Sequence, residues 1–146
     1  DDIQGIVDFC ADAVQTGLRV KTSLNPFIPK PLTPLQWFPM QPLKLLKSKF
    51  RFLRDRLRAL GVRDVTGYSP REAVLQAFLI FADESHADAI LEMSLRDREP
   101  PPELVSQAFV PKPHDQNFPW DILQTSVTRR EMWEEVREIL PSVMPA

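Results

Sequence analysis

The chain has 146 residues, with 18 lysines and arginines against 20 aspartates and glutamates, and its formal net charge at pH 7 is −2. This balance argues against a surface that binds polyanions throughout, while the 43% of hydrophobic residues is ordinary for a globular chain that buries a core. A single cysteine excludes an internal disulfide and a cysteine-based metal site, and no apolar run reaches the roughly 18 residues of a membrane span, so we expect a cytoplasmic protein without membrane contact.

The chain begins with a predicted amphipathic helix over residues 1–16. Its apolar side chains follow one another at spacings of three, one, three and four, which place them on one face of a helix. These residues are Ile3, Ile6, Val7, Cys10 and Val14. Because Cys10 shares this face and has no basic neighbour, the pattern indicates a buried, unreactive thiol.

A predicted strand and a proline-rich loop follow the stop at Gly17. Residues 19–24 contain β-branched side chains in alternation, which favours a buried strand. The loop cannot be regular structure, because its prolines lack the backbone donor and fix φ; they are Pro26, Pro29, Pro31 and Pro34. A strand that ends in a stiff loop is where α/β sheets and barrels hold their chemistry, and a structural linker has the same composition.

A long helix is predicted from Pro42 to Leu60, with Gly61 as its natural stop. Its apolar seam is Leu43, Leu46, Phe50, Leu53, Leu57 and Leu60. Its other face is basic and consists of Lys44, Lys47, Lys49, Arg51, Arg54, Arg56 and Arg58, against Asp55 alone. Such a face is compatible with binding RNA phosphates and equally with a solvated surface.

The second half of the chain is predicted to be mostly helical. A short strand over residues 62–68 precedes a capping box at Ser69, which starts a helix paired with a second one over residues 86–95. Their inward side chains are predicted to be Ala73, Val74, Ala77, Phe78 and Phe81 in the first helix, and Ala87, Ile90, Leu91 and Leu95 in the second. A capping box at Thr128 opens the last helix, whose inward residues are Met132, Trp133, Val136, Ile139 and Leu140. Trp120 lies in a loop and is expected to pack back onto a core.

No complete catalytic constellation is visible. The two histidines, His86 and His114, lie in separate segments, and no pair of glycines forms a phosphate-binding loop. We therefore expect the chain alone to be catalytically silent and to hold no cofactor by itself.

The strand and the proline-rich loop resemble a family motif. The matching residues are Val20, Ser23, Pro26, Phe27, Pro29, Lys30, Pro31, Thr33, Pro34, Gln36 and Trp37. They look like the sixth barrel strand of bacterial radical S-adenosylmethionine (SAM) proteins, of the large group with a degenerate cobalamin-binding-like N-terminal domain. Leu32 and Leu35 depart from the usual histidine and phenylalanine. The segments Ser69–Arg71 and Phe118–Asp121 are also similar, so the resemblance runs from Asp1 to about Ile139.

The resemblance implies an α+β, mostly helical chain. Residues 1–41 would be the last strand and helix unit of a partial TIM-type barrel, and residues 42–146 a helical C-terminal domain. The parent protein would be an enzyme that cleaves SAM reductively with a 4Fe–4S cluster. Because the cluster motif C-x-x-x-C-x-x-C is absent, we expect a fragment whose missing N-terminal part is its partner.

The same resemblance implies a part-site. Ser23, Leu24, Asn25 and Phe27 would lie near the adenine of SAM, and Lys30 and Gln36 on a rim that meets substrate. The plain alternatives are that Lys30 faces solvent and that Asn25 caps the strand end. An unpaired strand over residues 19–24 would also favour self-association. The alternative function is a non-enzymatic module whose basic helix binds RNA or a protein partner.

Overall fold

A computed structural model describes residues 2–96 and 99–139, so Asp1, residues 97–98 and residues 140–146, which include the predicted inward residue Leu140, lie outside it. The described residues form six α-helices, a two-stranded parallel sheet and three short 3₁₀ turns. The helices are α1 (Asp2–Gln15), α2 (Leu43–Ala59), α3 (Pro70–Phe81), α4 (Ala87–Arg96), α5 (Pro102–Gln107) and α6 (Arg129–Ile139). The strands are β1 (Lys21–Ser23) and β2 (Asp64–Thr66), and the 3₁₀ turns are Pro34–Trp37, Glu84–His86 and Pro119–Ile122. The mostly helical α+β class is confirmed.

The chain divides into two compact units that alternate along the sequence. Among the described residues, the first unit comprises 2–27 and Gln41–Ala73, and the second comprises Ile28–Met40 and 74–139. The predicted boundary after residue 41 differs from this division. The proline-rich loop clusters with the later helices, whereas α2 clusters with the first helix and strand.

The first unit is built as helix, strand, helix, strand. β1 and β2 pair in parallel with Lys21 opposite Asp64 and Ser23 opposite Thr66, and α2 lies in the connection between them. A parallel pair needs such a long crossover, because a short turn cannot reverse the chain twice. The predicted orphan strand therefore has one partner in this chain. Over the described residues, its other edge has none.

The core of the first unit lies between α1, α2 and the sheet. It contains the buried residues Val7, Cys10, Leu24, Phe50, Leu53, Leu57 and Val62. The predicted seam of α2 is confirmed at its centre and half-buried at its ends, Leu43 and Leu60. Gly61 follows the helix with φ of 83°, a left-handed conformation that a glycine adopts without strain.

The second unit is organised around Trp37, which is fully buried. The rings of His114, Phe118 and Trp133 lie with centroids 5.1–6.4 Å from it. Trp120 is buried as expected and stacks on Phe118 with centroids 4.6 Å apart. The inward side chains of α3 are buried as predicted. In α4, however, Leu91 and Leu95 are exposed, so the predicted inward face of that helix is wrong there.

Both predicted capping boxes are present. Ser69 accepts from the backbone N–H of Glu72 and donates its own N–H to the Glu72 carboxylate at 2.7 Å, and Thr128 and Glu131 repeat the arrangement. The backbone N–H of Ser69 and then its hydroxyl lower the pKa of Glu72, and the hydroxyl and then the N–H of Thr128 lower the pKa of Glu131. These carboxylates satisfy donors that a helix start leaves free.

Candidate functional site

The predicted cofactor residues lie at the carboxyl end of β1, in the first unit. The Asn25 amide joins the ends of both strands, because its Oδ1 accepts from the backbone N–H of Tyr68 at 3.1 Å and its Nδ2 donates to Ser23 Oγ at 3.1 Å. Leu24 donates its N–H to the carbonyl of Thr66 at 2.9 Å. The alternative reading of Asn25 as a strand-end cap thus matches its contacts. The same contacts hold the strand ends in a defined geometry.

Gly67 brings the two strand ends unusually close. Its φ is 118°, and a Cβ built on it would lie 2.0 Å from the carbonyl oxygen of Leu24. No side chain fits there, so the chain leaves β2 directly against the backbone of Leu24. The sequence signal was present, since Gly67 lies within the predicted strand over residues 62–68, where a glycine marks a close approach of another backbone segment.

Ser23, Asn25, Phe27 and Tyr68 are open to solvent at this end of the strands. Phe27 is 41% and Tyr68 49% exposed, whereas aromatic rings of this size are usually buried in a core. Leu24 differs from the expectation, because its side chain lies in the core and its N–H is already paired. Ser23, Asn25 and Phe27 are therefore the predicted residues whose side chains a ligand can reach.

The two predicted rim residues belong to the second unit. Lys30 is exposed and donates from Nζ to Gln76 Oε1 at 3.0 Å. Gln36 is only 2% exposed, so the expectation that it lies on an open rim is wrong. Its Oε1 accepts from Trp120 Nε1 at 2.7 Å and from the N–H of Leu32 at 3.3 Å. The 3₁₀ turn that begins at Pro34 directs the amide inward.

A cleft of about 570 Å³ in the second unit was not predicted. Lys112 lies at its edge and is 9% exposed, with its Nζ donating to the carbonyls of Gln107 and Val110 at 2.8 and 3.0 Å. The ammonium also lies 4.5 Å from the centre of the Phe81 ring. Burial lowers the pKa of Lys112 to about 8. Its place between two prolines, Pro111 and Pro113, is the sequence signal for a fixed lysine.

His86 lines the same cleft and is held by its neighbours. Its Nδ1 accepts from the N–H of Asp83 at 3.1 Å and lies 2.7 Å from the Asp83 carboxylate. The hydroxyl and then the N–H of Ser85, with His86 contributing less, lower the pKa of Asp83. The ring also meets Phe78 edge to face, so His86 is fixed rather than free on the surface.

Within residues 2–96 and 99–139, no group of three histidine, cysteine or acidic side chains is placed to hold a metal ion. In the same part of the chain, no helix combines the length and apolar character needed to cross a membrane. Comparison of the chain with family models, with curated proteins and with solved structures finds no match.

Proposed function

We propose that this chain is the C-terminal part of a radical SAM enzyme and forms one edge of its cofactor pocket. The observation that carries the proposal is the carboxyl end of the parallel pair. There the strand motif leaves Ser23 and Phe27 exposed beside a backbone locked by Asn25 and Gly67. Ligands of parallel α/β sheets bind at this end of the strands, which supports the assignment.

The iron–sulfur cluster does not fit this chain. Cys10 is its only cysteine and lies in the core of the first unit, 3% exposed. The cluster of the proposed enzyme must therefore be held by another part of the protein. The residues of this chain take no part in the chemistry of the cluster.

Unlike the iron–sulfur cluster, the adenine of SAM fits the residues of this chain, at the exposed carboxyl end of the strands. Phe27 offers an accessible ring on which a base can stack, and Ser23 offers an exposed hydroxyl at the end of the same strand. When bound to the complete enzyme, SAM would supply the radical after reductive cleavage. The residues of this chain would orient the nucleoside.

Substitution of Phe27 tests the proposal in the intact, anaerobically purified gene product. Stacking of a base on an aromatic ring contributes about 1–3 kcal/mol, so Phe27→Ala is expected to weaken SAM binding about 5- to 150-fold. Binding by calorimetry and release of 5′-deoxyadenosine after reduction are the two measurements. The KM for SAM should rise in step with the dissociation constant.

Phe9→Ala is the matched control, because Phe9 is a 76% exposed phenylalanine on α1 of the same unit. It should leave SAM binding unchanged. An intact gene product without an upstream C-x-x-x-C-x-x-C motif, or one that yields no 5′-deoxyadenosine, would contradict the proposed enzyme. Equal effects of the two substitutions would contradict only the proposed role of Phe27 and would leave the proposed enzyme class standing.

A further inference from the structure

Helix α2 carries a line of exposed cations that the proposed function does not use. Their spacings alternate between three and four, which at 3.6 residues per turn gives a strip about 80° wide and about 21 Å long. All five residues are exposed. We call this feature the basic strip; it consists of Lys44, Lys47, Arg51, Arg54 and Arg58.

In the part of the chain that the structure describes, no acidic side chain neutralises the basic strip by an ion pair. Within the described residues, none of its five side chains takes part in an ion pair or a hydrogen bond. The two other cations of α2 are placed differently, since Lys49 is half-buried and the Arg56 guanidinium lies 5.3 Å over the ring of Phe52. Asp55 is the one acid of this helix. With a charge of +6 on α2 and −2 on the chain, the remainder carries −8.

The strip is also rigid. The neighbouring face of α2 is the buried seam around Leu53 and Leu57, which holds the helix against the core of the first unit. Residues three and four apart on a helix are separated by about 5–6 Å. The structure therefore presents a straight row of five cations at nearly even spacing.

We propose that the basic strip binds the phosphate backbone of a nucleic acid without reading its sequence. A nucleic acid carries evenly spaced negative charges, and about 21 Å corresponds to roughly six nucleotides along one strand. The aromatic residues of α2 are Phe50, which is buried, and Phe52, which is half-buried beneath Arg56, so this helix offers no exposed ring to stack on bases. Contacts to phosphates alone position a partner but do not select a sequence. This activity is independent of the proposed cofactor edge.

Fluorescence anisotropy of the whole chain with a labelled oligouridylate of 20 nucleotides tests the proposal. Each neutralised phosphate of a single strand contributes about −0.7 to the slope of log K against log salt, so five contacts give about −3.5. The affinity should then fall about 100-fold between 50 and 200 mM salt. A slope near zero would overturn the proposal.

Two triple variants with the same change of net charge separate the strip from bulk charge. Lys47→Gln with Arg51→Gln and Arg54→Gln should reduce the slope to about −1.4. The control carries Arg96→Gln, Arg130→Gln and Arg137→Gln, which change exposed cations of α4 and α6. It should bind like the unchanged chain. Equal losses in the two variants would overturn the proposal. Glutamine retains helix propensity, and thermal unfolding of both variants checks the fold.

Binding measurements with two other polyanions decide the nature of the partner. Oligothymidylate that binds as oligouridylate does supports a contact to phosphates shared by DNA and RNA, and a clear preference for oligouridylate supports RNA. Polyglutamate that binds more tightly than either would overturn the proposal in favour of an acidic protein. Should the triple variant unfold, Arg51→Gln alone decides, because its slope must be smaller than that of the unchanged chain by about 0.7.

Discussion

Gln36 illustrates how a polar residue beside a proline-rich loop can be structural. A glutamine in such a loop suggests an exposed rim, yet this amide lies inside the second unit. There it accepts from the indole of Trp120 and from the N–H of Leu32, whose φ of 57° is left-handed. A non-glycine residue in that region is strained, so the bond from Leu32 helps to hold the turn. The sequence cannot reveal this, because Trp120 is 84 positions away.

Gln36→Leu should therefore lower the free energy of unfolding by about 1–3 kcal/mol, because it leaves the buried indole N–H of Trp120 without an acceptor. Urea unfolding followed by tryptophan fluorescence measures the change. Gln41→Leu replaces an exposed glutamine and should shift the free energy by no more than about 0.5 kcal/mol. Equal stability of the two variants would show that the buried amide is not required.

Lys112 predicts a dependence of stability on alkaline pH. Below pH 8 both folded and unfolded chains hold the proton, and the folded chain bears the full cost of a buried cation. Between about 8, its folded pKa, and about 10.4, the ordinary value, the unfolded chain binds more protons, so stability rises with pH. The rise should be about 1–3 kcal/mol, since the carbonyl and ring contacts of the ammonium offset part of the burial.

The comparison of Lys112→Met with the unchanged chain isolates this contribution. Urea unfolding at pH 7 and pH 10 should give a smaller gain in stability for Lys112→Met than for the unchanged chain. Lys30→Met, which removes an exposed lysine of the same unit, should keep the full gain. A gain retained in Lys112→Met would mean that other groups cause it.

Among the secondary-structure elements, α2 and α4 were both predictable as helices, but only for α2 was the buried face predictable as well. The apolar residues of the α2 seam recur every three or four positions over its whole length, and an apolar stripe of that length has to be buried against another element. In α4, Leu91 and Leu95 lie on a shorter stripe and are 56% and 74% exposed. Periodicity indicates that a face is apolar, but which element covers that face is a property of the tertiary arrangement.

The seam of α2 supports a direct comparison between neighbouring positions. Leu53 is 4% exposed at the centre of the core, so Leu53→Ala should lower the free energy of unfolding by about 2–5 kcal/mol. Arg54 lies next to it and is exposed, so Arg54→Ala should change stability by no more than about 0.5 kcal/mol. The midpoints of urea unfolding measure both. A larger effect of Arg54→Ala would place the basic strip against another part of the protein.

At the scale of the whole molecule, the fold class and most helices follow from local signals, whereas the grouping of elements does not. Capping boxes at Ser69 and Thr128 and the stop at Gly61 mark boundaries that neighbouring residues decide. The alternation of the two units depends on pairings across 43 positions in the sheet and 84 between Gln36 and Trp120. In the candidate site, Ser23, Asn25 and Phe27 are at the strand end as expected. The close approach at Gly67 and the cleft at Lys112 were not foreseen.

The alternation of the units matters while the chain is being made. A ribosome adds about 5–20 residues per second, so Lys21 is synthesised roughly 2–9 s before its partner Asp64, 43 positions later. The first unit cannot fold until α2 and β2 have left the ribosome. At that point residues 28–40 have no packing partners, because the helices of the second unit are not yet translated. Both edges of β1 are open during this interval, whereas in the folded chain β2 covers one of them. Unwanted pairing of β1 with another strand is therefore a hazard of the nascent chain more than of the finished protein.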